Sequence, residues 1–301
     1  MTVHAVSALP EGLPAAAGKA IVSPQAAKLA AAASIEVSPK DESAGERLRD
    51  LFRPETRVFV NYPASVTHHD IVAACARLRR AGFVPVPHVA ARRLASYTQA
   101  ADFLRRAADD AAVDDVLLIA GDADPPVGPF GDALALLQSD VFERYGVRRV
   151  GFAGYPEGHP RIARRTLDAA LRSKLALARE RGLAVEIVTQ FGFEPLPILR
   201  WISAFRREIA DCPVRVGVAG PASVATLAKF AVRCGIGASL RALARDHAAF
   251  ARILTEARPD RLIESLVAGE DPAAPIGGLH IFTFGGLRRT SEWLHRGRGL
   301  R

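Results

Sequence analysis

Eight polar residues stand at the ends of otherwise apolar segments. They are Glu36 in SIEVSPK, Asn61 in VNYPAS, His88 in VPHVAAR, Asp122 in AGDADPP, Tyr155, Glu157 and His159 in AGYPEGHP, and Gln190 in TQFGFE. Carboxylates, imidazoles and amides move protons and hold hydrogen-bonding ligands. No serine or cysteine stands beside a base among them, so nucleophilic catalysis is not expected. His88 and His159 come from separate segments, and HHD (68–70) follows Thr67 at a helix start, where it reads as solvent-facing cap chemistry. A resident metal is therefore not expected. Asp124, Pro125 and Gly128 are ordinary turn formers. Glu36 and Gln190 are not, because an unpartnered charge or amide among apolar neighbours costs about 1–3 kcal/mol or more. A buried glutamate with a raised pKa would serve as a general acid near neutral pH.

These residues need elements to position them. Strands are expected at 33–38, 57–62, 83–89, 115–121, 147–154, 184–190, 213–220 and 278–284, alternating with amphipathic stretches such as 68–82, 97–111 and 165–182. In 97–111 the residues Ala100, Phe103, Leu104 and Ala107 recur at helical spacing. Gly82 and Gly182 close two of the helices. Strands apolar on both faces, each followed by a helix, imply parallel pairing. The expected fold is α/β, a single (β/α)8 TIM barrel over 32–301, with chemistry at the C-terminal ends of its strands. A doubly wound sheet competes less well, since no GxGxxG follows the first strand. Residues 1–31 read as a flexible N-terminal arm with a short helix around 23–33, 233–246 as an additional turn and helix, and 247–268 as a long helix.

Composition narrows the partners. The formal charge is +8 and the pI about 9.9, but arginine supplies 35 of the 40 basic residues, scattered among acids. That pattern speaks against nucleic acid and for weak attraction to anionic small molecules. No apolar run approaches the ~20 residues that span a bilayer, so no membrane association is expected. Cys75, Cys212 and Cys234 are too far apart for a disulfide framework and read as buried thiols of a cytoplasmic protein. Self-association into a homo-oligomer is compatible with all of this.

The segments also resemble, in order and at corresponding strand ends, those of the methylenetetrahydrofolate reductases, flavin-containing (β/α)8 enzymes. SIEVSPK, VPHVAAR, LIAGDADPP, AGYPEGHP, IVTQFGF and HIFTFGGL carry the likeness, which runs over about 33–294. It implies an oxidoreductase that interconverts 5,10-methylenetetrahydrofolate and 5-methyltetrahydrofolate with FAD and NADH or NADPH. By match, Glu36 is the acid that lets N10 of the folate leave, opening the ring to a 5-iminium cation. Asp122 is implied as a second catalytic residue, contacting the pterin and flavin and stabilising developing positive charge, and Gln190 as a contact of the pterin. Flavin contacts carry over to Asn61 (usually Thr), His88, Ala153, Tyr155, His159, Asp168 and Lys174.

There are departures. Ala120 stands where an arginine precedes Gly-Asp, Val224 where an aromatic stacking residue is expected, and GGL where a polar Asn-Arg-type ending occurs. Two alternatives follow: direct NADH-dependent reduction of the same folate without flavin, and a non-catalytic folate-binding or accessory protein on this scaffold.

Overall fold

The computed structural model describes residues 23–234 and 259–296. Eight strands close a barrel in chain order, every neighbouring pair parallel. They are β1 (Ser34–Val37), β2 (Arg57–Val60), β3 (Val84–Ala90), β4 (Asp115–Ile119), β5 (Arg149–Gly154), β6 (Ala184–Gly192), β7 (Val214–Ala219) and β8 (Ile276–Phe282). All eight expected strands are present and the TIM-barrel fold is shown.

The outer face of the sheet packs on helices. These include α1 (Pro24–Ala31), α2 (Ala44–Leu51), α3 (His68–Arg80), α4 (Tyr97–Ala111), α5 (Ala133–Leu137), α6 (Val141–Arg144), α7 (Arg164–Glu180), α8 (Pro195–Phe205), α9 (Val224–Cys234), α10 (Pro259–Ala268) and α11 (Leu287–Arg296). The apolar face expected for α4 is the one buried. A capping box between Thr67 and Asp70 starts α3. Gly82 and Gly182 follow α3 and α7 at φ +90° and +72°, where a side chain would be strained.

Residues 24–31 are not a free arm. Ser23 caps α1, whose Ala26 and Ala30 are buried, and the Ser23 amide donates to Glu264 on α10 at 2.9 Å. Small apolar residues at i and i+4 let this helix seat closely, which the composition of the segment did not convey. The rest of the expected arm (1–22), the turn and helix expected at 233–246 beyond Cys234, and 247–258 of the expected long helix lie outside the described residues. Cys75 and Cys212 are buried free thiols, and burial pushes both pKa values up to about 12. No described helix is long and apolar enough to cross a membrane.

Alternation along each strand divides the barrel interior from the helix layer. Phe59, Val86, Leu117 and Val188 form a separate buried cluster inside the barrel. Below it, at the N-terminal ends of the strands, lie charges that sequence reasoning did not anticipate. The Arg57 guanidinium donates to both Glu186 oxygens, at 2.9 and 2.6 Å, and also to Asp115. Arg215 donates to Glu186 at 3.1 Å, and Arg149 lies 3.4 Å from Asp115. The expectation that polar strand residues collect at one end is thus corrected. Both ends carry them, because a barrel's ends are the two places where its filled interior can admit charge.

Candidate active site

Above the apolar layer the interior is polar on one side. Glu36 is in register with Phe59 on β2, and period-two alternation puts its side chain in the same interior as Phe59. The Asn61 amide donates to Glu36 Oε1 at 3.1 Å. His88 Nε2 lies 3.5 Å and His280 Nε2 3.7 Å from Glu36 Oε2. The Ser34 hydroxyl lies 3.0 Å from His280 Nδ1 and 3.2 Å from the Leu279 carbonyl, to which it can donate. Thr283 donates to the Glu36 carbonyl at 2.8 Å, tying the β8 loop to β1. Asn61 Oδ1 and His88 Nε2 are shielded from solvent without a hydrogen-bond partner among the described residues. A ligand would supply what they lack.

Glu36 was expected to have a raised pKa. Burial does act to raise it, but the facing His280 imidazole, the His88 charge and the Asn61 amide outweigh that, so the pKa is lowered. The carboxylate is therefore the resting form. His88 is lowered too, chiefly by burial, despite the opposing pull of Glu36.

Asp122 lies apart in character from Glu36. Its side chain is 64% exposed and is held by Arg93, whose Nε is 3.0 Å from Oδ1 and whose guanidinium lies 5.9 Å from the Tyr62 ring. Arg92 pairs with Asp124 at 2.9 Å and donates its backbone amide to the Ala120 carbonyl. The 3-10 turn Ala91–Arg93 thus brings two cations beside the position where Ala120 offers none. The approach is close: a Cβ at Gly121, itself at φ +86°, would lie 3.0 Å from Ala90 Cβ.

The loop after β5 brings Tyr155 and His159 together edge to face, with centroids 5.6 Å apart. Arg164 braces it by donating to the carbonyls of Tyr155 (2.9 Å) and Pro156 (2.6 Å). Ala153 alternates with Gly151 on the interior face of β5 and is half-buried. Asp168 is half-buried on α7. Lys174, one and a half turns on, holds its ammonium 5.3 Å from the Phe152 ring, and burial lowers its pKa to about 8 against the pull of Asp132.

Gln190 sits in a bulge. Val188 pairs with Arg215 but Phe191 with Gly217, so β6 carries one extra residue there. The Gly217 amide donates to the Thr189 hydroxyl at 2.8 Å, and a Cβ on Gly217 would lie 2.3 Å from the Thr189 carbonyl oxygen. Gln190 lines a narrow crevice with Pro156, Glu157 and Ile198. It therefore meets the β5 loop.

Beyond the polar groups, the ends of β6 and β8 are aromatic. Phe191, Phe193, Phe282, Phe284 and, from α9, Phe230 form one cluster. Sequence reasoning read TQFGFE and FTFGGL only for their polar members and missed these rings. It also missed Ser34 and His280, although a histidine inside GLHIFTF carried the same signal as Glu36. The side chain of Val224 is outside those described.

His68 is not solvent-facing as expected. It is buried between α3 and α4, with Nε2 3.3 Å from Asp102 and Nδ1 3.3 Å from the Gln99 amide, because the Thr67 cap turns it inward. His68, His69 and Asp102 could on distance alone hold a cation. Asp102, however, is already bound by Arg105 and Arg106, and its pKa is lowered to about 2.

No family model matches the chain. Among solved structures it is similar to the dihydropteroate synthase of Thermus thermophilus, at 15% identity over 89% of this chain and 93% of that one, with a TM-score of 0.47. The carboxyl transferase domain of Rhizobium etli pyruvate carboxylase follows at 9% identity and TM-score 0.44, over 96% of this chain and 52% of that one. The chain thus spans about half the length of that structure. A third, from Aquifex aeolicus, shares 14% identity over 79% of this chain and 93% of that one, with a TM-score of 0.38.

Proposed function

We propose that the protein is a folate oxidoreductase interconverting 5,10-methylenetetrahydrofolate and 5-methyltetrahydrofolate, with NADH or NADPH as the nucleotide partner. The observation that carries this reading is the Glu36 carboxylate, set between two imidazoles at the C-terminal mouth of the barrel. The ring-opening chemistry needs one group that exchanges a proton with N10. In the oxidative direction, hydride leaves the methyl carbon, N10 attacks the resulting iminium carbon, and the N10 proton passes to the Glu36 carboxylate. In the reductive direction, protonated Glu36 returns that proton as the C–N10 bond breaks. The lowered pKa of Glu36 supplies the carboxylate that the oxidative direction needs.

His280 and Ser34 can accommodate both states. When Glu36 is ionised, His280 can present Nε2–H to it while Ser34 donates to Nδ1. When Glu36 is protonated, Nδ1–H can donate to Ser34, whose hydroxyl turns to the Leu279 carbonyl.

FAD is the cofactor that the resemblance implies, and its fit rests on this chain's residues. Lys174 has no ion-pair partner among the described residues and suits a phosphate, with Asp168 on the same helix for a ribose. Tyr155, His159 and Ala153 form the adjoining rim, and beside Ala120 stand Arg92 and Arg93, each paired with a carboxylate, Asp124 and Asp122. When bound, FAD supplies two-electron transfer between the nicotinamide and the folate.

The test is the visible spectrum of the purified protein and its turnover of methylenetetrahydrofolate with NADH. A flavin spectrum that bleaches with NADH and recovers with the folate is the expected result. A colourless protein that still consumes NADH with the folate would assign direct transfer. Absence of both with retained folate binding would leave a binding protein.

A further inference from the structure

The aromatic part of the barrel mouth is a stack of rings that is only half-buried. Phe282 lies two residues beyond buried His280 on β8, so it shares the interior face with that imidazole, and the rings meet edge to face at 4.9 Å and 89°. Phe284 stacks on Phe282 at 5.5 Å and 20°, and Phe230 stacks on Phe284 at 4.0 Å and 13°. Packed aromatic rings take both edge-to-face and offset-stacked arrangements, and Phe191 meets Phe193 edge to face at 82°. Here three rings make a near-parallel ladder rising to the mouth, and its members are half-buried while Phe191 is 1% exposed.

The ladder is fixed from several sides. Phe191 fills the angle between Phe282 (5.5 Å) and Phe284 (4.9 Å), turned inward by the β6 bulge. Gly285 passes so close to β7 that a Cβ there would lie 1.8 Å from the Pro221 carbonyl oxygen, which pins the loop carrying Phe284. Phe282 adjoins the polar group through His280, which lies 3.7 Å from Glu36 on the neighbouring strand β1, and beyond Glu36 stand Asn61 and His88, whose Oδ1 and Nε2 lack hydrogen-bond partners among the described residues. An aromatic face next to buried polar atoms that lack partners suits a flat ring with hydrogen-bonding edges.

We propose that Phe282, backed by Phe284 and Phe230, is the stacking surface for a planar heteroaromatic ring bound at the barrel mouth, and that this ring is the pterin of the folate. The naming of the ring rests on the folate reading; the surface itself does not.

The test uses the full chain with Phe282→Leu, which keeps apolar bulk but removes the ring, and Phe282→Trp, which restores a ring and reports on it. Binding of 5-methyltetrahydrofolate is measured by calorimetry, and of FAD and NADH as further flat-ring probes. Circular dichroism melting confirms that both variants fold. Phe282→Leu is expected to weaken 5-methyltetrahydrofolate binding about tenfold, ~1.4 kcal/mol. Phe282→Trp is expected to bind within about twofold of wild type, with its emission quenched as ligand stacks on it. Wild-type affinity in Phe282→Leu for every ring that the wild type binds would overturn the proposal, as would an unquenched Phe282→Trp when ligand is bound. If the wild type binds FAD or NADH but no folate, and Phe282→Leu weakens that binding, the stacking surface stands and the folate reading falls. If the wild type binds none of the three rings, both fall.

Discussion

The two ends of the barrel interior both hold charge, and they hold it differently. At the N-terminal end Arg57, Arg149 and Arg215 face Asp115 and Glu186, every charged group with an opposite charge on it. Glu186 is 2% exposed there and is grasped by two guanidiniums. At the C-terminal end one carboxylate faces two imidazoles and an amide, beside polar atoms without hydrogen-bond partners among the described residues and next to a half-buried aromatic surface. In the first arrangement every charge is already paired within the protein, although Arg57 Nε and Asp115 Oδ1 have no hydrogen-bond partner among the described residues. The second has proton-sharing groups beside a half-buried aromatic surface. The difference separates stability from chemistry more clearly than polarity does, since both ends are equally polar.

That separation can be broken by substitution. Glu36→Gln removes the proton-exchanging group but keeps the shape, and folate turnover should fall ~10²–10⁴-fold, with the melting temperature essentially unchanged. A stopped assay with 5-methyltetrahydrofolate and an electron acceptor measures it, and full turnover would end the acid–base assignment. Glu186→Gln should do the reverse. It leaves Arg57 and Arg215 without their shared carboxylate, a loss of about 3–5 kcal/mol for a broken buried pair. Calorimetric melting should show it as a drop of roughly 10 °C, at about 2–4 °C per kcal/mol for a domain of this size. Turnover per folded molecule, measured in the cold, should persist.

The smallest effect is expected at Asp115. Burial, reinforced by Glu186 and opposed by Arg57, raises its pKa from 3.8 to about 6. An acid whose folded pKa is raised costs stability when ionised. That cost begins above the unfolded value of 3.8 and is fully present above about 6. Asp115→Asn should therefore compare better with wild type at pH 8 than at pH 5. Paired melts at the two pH values would show it, and a variant that loses more ground at pH 8 would contradict the assigned shift. Ordinary side-chain pKa logic would have predicted little pH dependence here. The contrast with Glu36, which is lowered in a comparably enclosed place, comes from the imidazoles and amide aimed at it.

Much of this was legible in the chain. The eight strands are apolar runs bounded by glycine, proline or acid, and such runs announce themselves. Glu36, Asn61 and His88 stood out as polar residues late in those runs, and the barrel brings them into contact. Glu186 and His280 carried the same signal, a charge or imidazole inside AVEIVTQ and GLHIFTF. They are easily passed over when only strand ends are weighed, whereas period-two alternation puts any interior-facing polar residue in the same column. Pairing was not legible at all. That Arg57 meets Glu186, 129 residues away, depends on closure of the barrel. The sign of the Glu36 shift was also hidden, since burial alone argues for the opposite direction and only the positions of His88 and His280 reverse it.

The bulge in β6 works as a shift of reading frame in the side-chain alternation. Up to Val188 the strand speaks in one parity; after Thr189 and Gln190 it speaks in the other, and Phe191 takes the inward place opposite Gly217. Deleting a single residue there would preserve the composition of the mouth almost entirely and exchange its contents, turning an aromatic ring out toward the helices. The spacing of TQFGF thus matters as much as its letters. A homologue with the same residues and one fewer between Val188 and Phe191 would be expected to hold a different ligand.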